Sequence, residues 1–408
     1  MLSGVNNNTN SNNDVSYNKR QFWEYKRLYG GTKKNINNRQ QLETQTHKKT
    51  QVYHLVNNKI ANDKTLIKRL TSIYIPPAYK NIVIAKSANN KIQAIGTDKR
   101  GRRQYVYNPQ YTKKRNDRKY EDIMELGKKI VVIEQDNIKM LTAIDNKNIT
   151  QWVFPDDYIP IIIYMLRTYH FRIGHEKYAN DNKSFGITTL RIEHILWDRN
   201  TKPSAFTIEF IGKKGILNKF SDNNPLMIRI LKKLISNSLR NNYDGYLFKY
   251  KMINNTITSS DTSNTSNTFN NTKKITDQDV VFISPEQMQT YFQERYNAYI
   301  TPKMFRTWYG NKHLLDCIRD MFNKGLLHGK TKNKMNNQEK NEIIKACSVH
   351  VSNKLNNTPG VSKQSYIDDK ILELIMKNPY KFASNIPDDN DAQHTYLYKI
   401  ILKLRHIS

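Results

Sequence analysis

Cysteine is nearly absent from this 408-residue chain, which has only Cys317 and Cys347. Two thiols cannot build a disulfide framework, and neither sits at the short Cys/His spacing of a metal site. That suits a reducing compartment. Long hydrophobic runs are missing too. The longest, residues 159–166, contains Pro160 and is too short to span a bilayer, and the N-terminus lacks an apolar signal core. A soluble, intracellular protein with no membrane partner is expected. Acidic residues are scarce: 36 Asp and Glu stand against 66 Lys and Arg, a formal charge of +30. An excess of this size points to a polyanion, with nucleic acid as the obvious class. The apolar fraction of 38% is low for a fully compact protein of this length, so part of the chain is expected to lack a core.

Along the chain, residues 1–64 are rich in Asn, Thr, Gln and Lys and show little periodicity, which predicts a basic tail without regular structure. Residues 65–149 form a β-rich block, with alternating runs at Ile82-Val83-Ile84 and Tyr105-Val106-Tyr107 and a closing helix over 120–133. Residues 150–408 read as mainly helical, with a low-complexity insertion at 254–275. One interruption is Phe206-Thr207-Ile208-Glu209-Phe210-Ile211 followed by Gly212-Lys213-Lys214-Gly215, a hairpin pattern. The fold class is α+β.

Several segments carry chemistry. Residues 97–119 hold nine Lys or Arg against Asp98 and Asp117, interleaved with Tyr105, Tyr107 and Tyr111. Such cations neutralise phosphates, and Gln104 and Tyr105 on a strand can reach base edges in a major groove. Arg172 follows an apolar helix over 158–169, where a planar guanidinium is well placed to grip two phosphate oxygens. Lys213 sits at the hairpin tip, placed to protonate a leaving oxygen, with Lys214 an equal candidate by position. In Thr301-Pro302-Lys303-Met304-Phe305-Arg306, Thr is the expected N-cap and Pro the first helical residue. Lys303 and Arg306 then share one helical face, and two cations so close favour an anion between them. Tyr366 precedes an amphipathic helix and is a candidate nucleophile; a phenol with a pKa near ~10 needs surrounding positive charge for that work.

Taken together, these segments resemble the type IB DNA topoisomerases, in particular their compact poxvirus and bacterial branch. The resemblance covers residues 70–400 apart from the insertion. It rests on Gly96-Thr97-Asp98-Lys99-Arg100-Gly101-Arg102-Arg103-Gln104-Tyr105, the segment 172–190, Phe210-Ile211-Gly212-Lys213, Lys303-Met304-Phe305-Arg306-Thr307 and the run 358–366. It implies a small β-rich N-terminal domain and a tyrosine-recombinase-like helical catalytic domain that close as a clamp around duplex DNA. Tyr366 would attack the scissile phosphate and leave a 3′-phosphotyrosyl link. Arg172 and Arg306 would hold the non-bridging oxygens, and Lys213 would serve the leaving 5′ oxygen. Arg102, Arg103, Gln104, Tyr105, Tyr107, Lys177, Tyr178 and Lys303 would contact DNA. No metal, cofactor, ATP or obligatory protein partner is implied, and a monomer carries the whole site.

One departure stands out. The family usually has His nine residues before the tyrosine, in Leu-Gly-His-Thr-Pro, where this chain has Leu355-Asn356-Asn357-Thr358-Pro359. Asn357 can still donate a hydrogen bond to a phosphate oxygen but carries no charge. Two other readings stay open. A tyrosine recombinase or integrase shares the catalytic chemistry, though it usually has His at the Lys303 position, and a catalytically weakened DNA-binding clamp would fit Asn357. Viral-type motifs with Asn-rich segments suggest a large DNA virus, and hence a virus factory in host cytoplasm or a virion.

Overall fold

The computed structural model describes residues 21–29, 52–198, 205–251, 280–327 and 335–405. The expected insertion at 254–275 lies outside them, as do residues 1–20 and 30–51 of the expected tail. The chain divides into two compact units, residues 1–118 and 119–408. No helix among the described residues is long and apolar enough to cross a membrane.

The first unit is an antiparallel sheet. Its strands are β1 (Phe22–Tyr29), β2 (Val52–Val56), β3 (Lys59–Ile60), β4 (Lys80–Ala85), β5 (Ile92–Thr97) and β6 (Arg103–Tyr107), in the order β3-β2-β1-β4-β5-β6. Helix α1 (Lys64–Ser72) starts at Asp63, whose carboxylate accepts the Leu66 amide. Tyr25, Leu70, Ile73, Ile75, Ile84 and Ala94 form the core.

This corrects the expectation of an unstructured tail over residues 1–64, since half of the sheet comes from it. Asn57 and Asn58 both take positive φ and join β2 to β3 by a two-residue turn, which Asn tolerates better than most residues. The Asn57 side chain also accepts the Glu24 amide, and Tyr25 Oη pairs with His54 Nδ1 at 2.7 Å. The asparagines that resemble low complexity are turn residues here.

Helix α2 (Pro109–Asn146) is far longer than the expected 120–133. Its buried residues Tyr120, Ile123, Leu126, Ile130, Ile133, Asn137, Leu141 and Ile144 follow helical spacing, and the apolar ones belong to the core of the second unit. The expected boundary at 149/150 therefore moves to 118/119. Gly127 is required on this helix, because a Cβ there would stand 2.5 Å from the Trp308 ring.

The second unit places α3 (Ile159–Thr168), buried from Ile159 to Leu166, at its centre. There follow α4 (Glu176–Asn182), the meander β7 (Ile195–Asp198), β8 (Ala205–Ile211) and β9 (Leu217–Asp222), and α5 (Pro225–Arg240). The expected hairpin is β8–β9, paired from Phe206–Asp222 to Ile211–Leu217. A short pair, β10 (Lys249–Lys251) and β11 (Val280–Phe282), precedes α6 (Pro285–Tyr296) and α7 (Pro302–Asn323). The remaining helices are α8 (Asn337–Leu355), α9 (Pro359–Ser365), α10 (Asp369–Lys377), α11 (Pro379–Ser384) and α12 (Asn390–Arg405). A β-rich first unit and a mainly helical second one bear out the α+β reading.

Candidate active site

Four segments meet around Tyr366. Arg172 lies in the turn after α3, and this turn is pinned by backbone contacts. The amides of Ile187 and Thr188 donate to the carbonyls of Arg172 and Ile173 at 2.9 and 2.7 Å. Gly174 has φ +95°, and a Cβ on Gly186 would lie 2.5 Å from the Gly174 nitrogen. Two glycines thus let the 172–174 and 186–189 segments touch backbone to backbone, which fixes where the arginine starts.

Thr301 and Pro302 open α7 as expected, although the Thr301 side chain itself makes no capping bond. The helix buries Arg306 to 3% exposure, and its Nη2 donates to the Leu355 carbonyl at 2.7 Å at the end of α8. Burial draws the Arg306 guanidinium down to about 10, which leaves it charged at neutral pH. Its Nε finds no acceptor among the described residues.

Tyr366 caps the C-terminal end of α9 and is half-buried. Arg172 Nη2 donates to its hydroxyl at 3.3 Å and to Asn357 Oδ1 at 3.2 Å, while the Arg306 guanidinium lies 5.1 Å from the ring centroid. Burial alone would raise the phenol's pKa. The charges of Arg306 and Arg172 outweigh it, so the group sits below its ordinary value. Because Asn357 Oδ1 is taken by Arg172, its Nδ2 is left as a buried donor without an acceptor among the described residues.

The sequence-predicted set therefore converges in part. Arg172, Arg306, Asn357 and Tyr366 come together. Lys213 does not: it is exposed at the hairpin tip and makes no hydrogen bond or ion pair among the described residues. The hairpin is held at both shoulders, however. The Phe185 amide donates to the Ile211 carbonyl at 2.8 Å, and Asn356 Nδ2 to the Leu217 carbonyl at 2.6 Å. The tip is thereby tied to the segments that carry Arg172 and Asn357. Lys214, at φ +67°, takes the left-handed position of the turn.

Lys177 and Tyr178 lie exposed on α4, and Lys303 is exposed on the first turn of α7. In the first unit, alternation along β6 puts Arg103, Tyr105 and Tyr107 on one face and Gln104 with Val106 on the other. Gln104 and Arg102 are both drawn to Asp98, at 3.0 and 2.7 Å. Tyr107 stacks on Tyr111 with ring centroids 5.7 Å apart, while Arg115 covers Tyr107 and Lys91 covers Tyr111. Cations layered over half-buried aromatics form a surface suited to a phosphate backbone and base edges.

Sequence reading missed the supports of Tyr366. Asn311, fully buried on α7, donates from Nδ2 to the Tyr366 carbonyl at 2.9 Å and accepts the Asp368 amide at 2.8 Å. Beside it, Gly310 admits the tyrosine, since a Cβ there would stand 2.9 Å from Tyr366 Cβ. The signal was an apolar helix interrupted by Gly-Asn one turn past Arg306.

A phenol held between fixed cations, next to an amide donor with no acceptor among the described residues, is an arrangement whose chemistry suits phosphoryl transfer through tyrosine. The chain belongs to the type IB DNA topoisomerases: residues 108–387 match the family model described as eukaryotic DNA topoisomerase I, catalytic core, and residues 52–98 the bacterial DNA topoisomerase IB, N-terminal domain. It is 28% identical over 354 residues to the DNA topoisomerase 1B of Acanthamoeba polyphaga mimivirus, covering 86% of this chain and 91% of that protein. Against the DNA topoisomerase 1B of Vaccinia virus (strain Copenhagen) it is 26% identical over 168 residues, 40% of this chain and 50% of the viral enzyme. The DNA topoisomerase 1 of Rabbit fibroma virus (strain Kasza) matches at 24% over 185 residues, 44% of this chain and 54% of that protein. The family and enzyme class read from the sequence are borne out.

Proposed function

We propose that Tyr366 relaxes supercoiled duplex DNA by breaking and resealing one strand, with Arg172, Arg306, Lys213 and Asn357 serving the scissile phosphate. The observation that carries this is geometric: the Tyr366 hydroxyl accepts from Arg172 Nη2 at 3.3 Å while the Arg306 guanidinium lies 5.1 Å from its ring centroid. As Tyr366 Oη bonds to phosphorus, its proton leaves to solvent, and the bond to the 5′ oxygen breaks. Lys213 gives that oxygen its proton. Arg172 and Arg306 neutralise the non-bridging oxygens where charge develops, and Asn357 Nδ2 donates a further hydrogen bond. One ester is exchanged for another, so the bond energy is retained and religation is the same step reversed. Neither ATP nor a metal is needed. Arg102, Arg103, Gln104, Tyr105, Tyr107, Lys177, Tyr178 and Lys303 hold the duplex. The protein works as a monomer inside the infected cell.

The test is relaxation of supercoiled plasmid in EDTA without ATP. Relaxation is expected. No relaxation by a protein that still binds the plasmid would favour a recombinase or a binding-only clamp.

Asn357 gives a second expected result. Asn357→Ala removes the free donor and should slow single-turnover cleavage by ~10²-fold, the low end for a lost oxyanion donor. Asn357→His should exceed wild type, because imidazolium adds charge to the same bond. Cleavage unchanged by Ala would remove Asn357 from the site, and cleavage unchanged or slowed by His would overturn this account of the position.

A further inference from the structure

Lys119 belongs by sequence to the run of cations expected to meet phosphates, yet its environment differs from theirs. Near the first turns of α2 that pack into the second unit, it is half-buried, and its Nζ donates to the Ser365 carbonyl at 3.1 Å and to Tyr120 Oη at 2.9 Å. Tyr120 Oη in turn donates to the Ile367 carbonyl. The carbonyls on either side of the nucleophile are therefore gripped from one helix turn, while Asn311 holds the Tyr366 carbonyl between them. Arg405 closes the arrangement, pairing with the buried Asp368 at 2.6 Å and lying 5.3 Å from the Tyr120 ring.

We infer that Lys119 is a positioning residue for the nucleophile, holding Tyr366 in attack register through the Ser365 carbonyl and adding positive potential to the phenolate. The inference rests on the reading of Tyr366 as nucleophile. Burial and the neighbouring Lys303 pull the Lys119 ammonium down, to about 8, against the pull of Asp368, Asp369 and Tyr366. A lysine whose protonation is favoured by the Tyr366 phenolate must by linkage favour that phenolate equally. A surface phosphate contact would not need to be built into three successive carbonyl contacts.

The experiment compares wild type, Lys119→Met, Lys119→Arg and Lys119→Gln on one suicide duplex, reading single-turnover cleavage and equilibrium Kd separately. Lys119→Met keeps the stem and is expected to lose ~10- to 100-fold in cleavage rate, the scale of a small misplacement, with Kd nearly unchanged. Lys119→Arg should recover most of the rate, and Lys119→Gln only part, since it restores a donor without charge. Cleavage by Lys119→Met at the wild-type rate overturns the inference. So does a Kd that weakens in step with the rate, which would make Lys119 a DNA contact, or an Arg variant as slow as Met. If Lys119→Met is too unstable to assay, the Arg and Gln pair decides by the same criteria. A wild type that cleaves without forming a tyrosyl adduct would instead remove the reading of Tyr366 and leave the Lys119 comparison aside.

Discussion

Tyr366→Phe should bind duplex DNA as wild type does and form no covalent adduct with it, with cleavage falling by ~10⁴-fold or more, as when other nucleophiles are deleted. The substitution removes one oxygen. Its ring stays beneath the Arg306 guanidinium, and Gly310 still admits it, so the pocket is preserved. What disappears is the hydroxyl that accepts from Arg172 at 3.3 Å, a bond worth ~0.5–1.5 kcal/mol to stability. Thermal stability should therefore change little. The measurement is trapping in SDS on a nicked or suicide duplex, run beside a mobility shift on the same DNA. An SDS-stable adduct from Tyr366→Phe would place the nucleophile on another of the 25 tyrosines.

The candidate site residues were legible in the sequence because each sits in its own local pattern. Thr301-Pro302 announces the start of the helix that carries Arg306, and Gly212 and Gly215 flank the lysines of the hairpin turn. The groups that hold them were not legible. Lys119 and Ser365 are 246 positions apart, and nothing in residues 97–119 separates a lysine that turns inward from eight other cations in the same run. Asn311 reads as a polar defect in an apolar helix until the Tyr366 carbonyl and the Asp368 amide are seen on either side of its amide. Strands β1 to β3 were hidden for a related reason: Asn57 and Asn58 have the composition of a tail and the backbone angles of a turn. On β6 the alternation that identified the strand also splits Gln104 from Tyr105 and Tyr107, a separation that a motif written as a string conceals.

Arg306 is the cation whose loss should cost most. Arg306→Ala is expected to lower single-turnover cleavage by ~10²- to 10³-fold, the range for a deleted donor to a developing anion. The pH at which cleavage sets in should also rise. Burial favours the neutral phenol of Tyr366 and the two guanidiniums favour the phenolate, with Arg306 contributing more than Arg172. Removing Arg306 leaves burial opposed by Arg172 alone, so the phenol's pKa moves up and the rate at neutral pH falls for this reason too. Arg306→Lys separates the two effects. A lysine keeps the charge, but it has no fork with which to hold the Leu355 carbonyl and still reach a phosphate oxygen. Its pH profile should stay near that of wild type while its plateau rate remains low. A profile that moves as far with Lys as with Ala would mean that Arg306 acts by keeping the end of α8, and Asn357 beyond it, in place instead of through its charge.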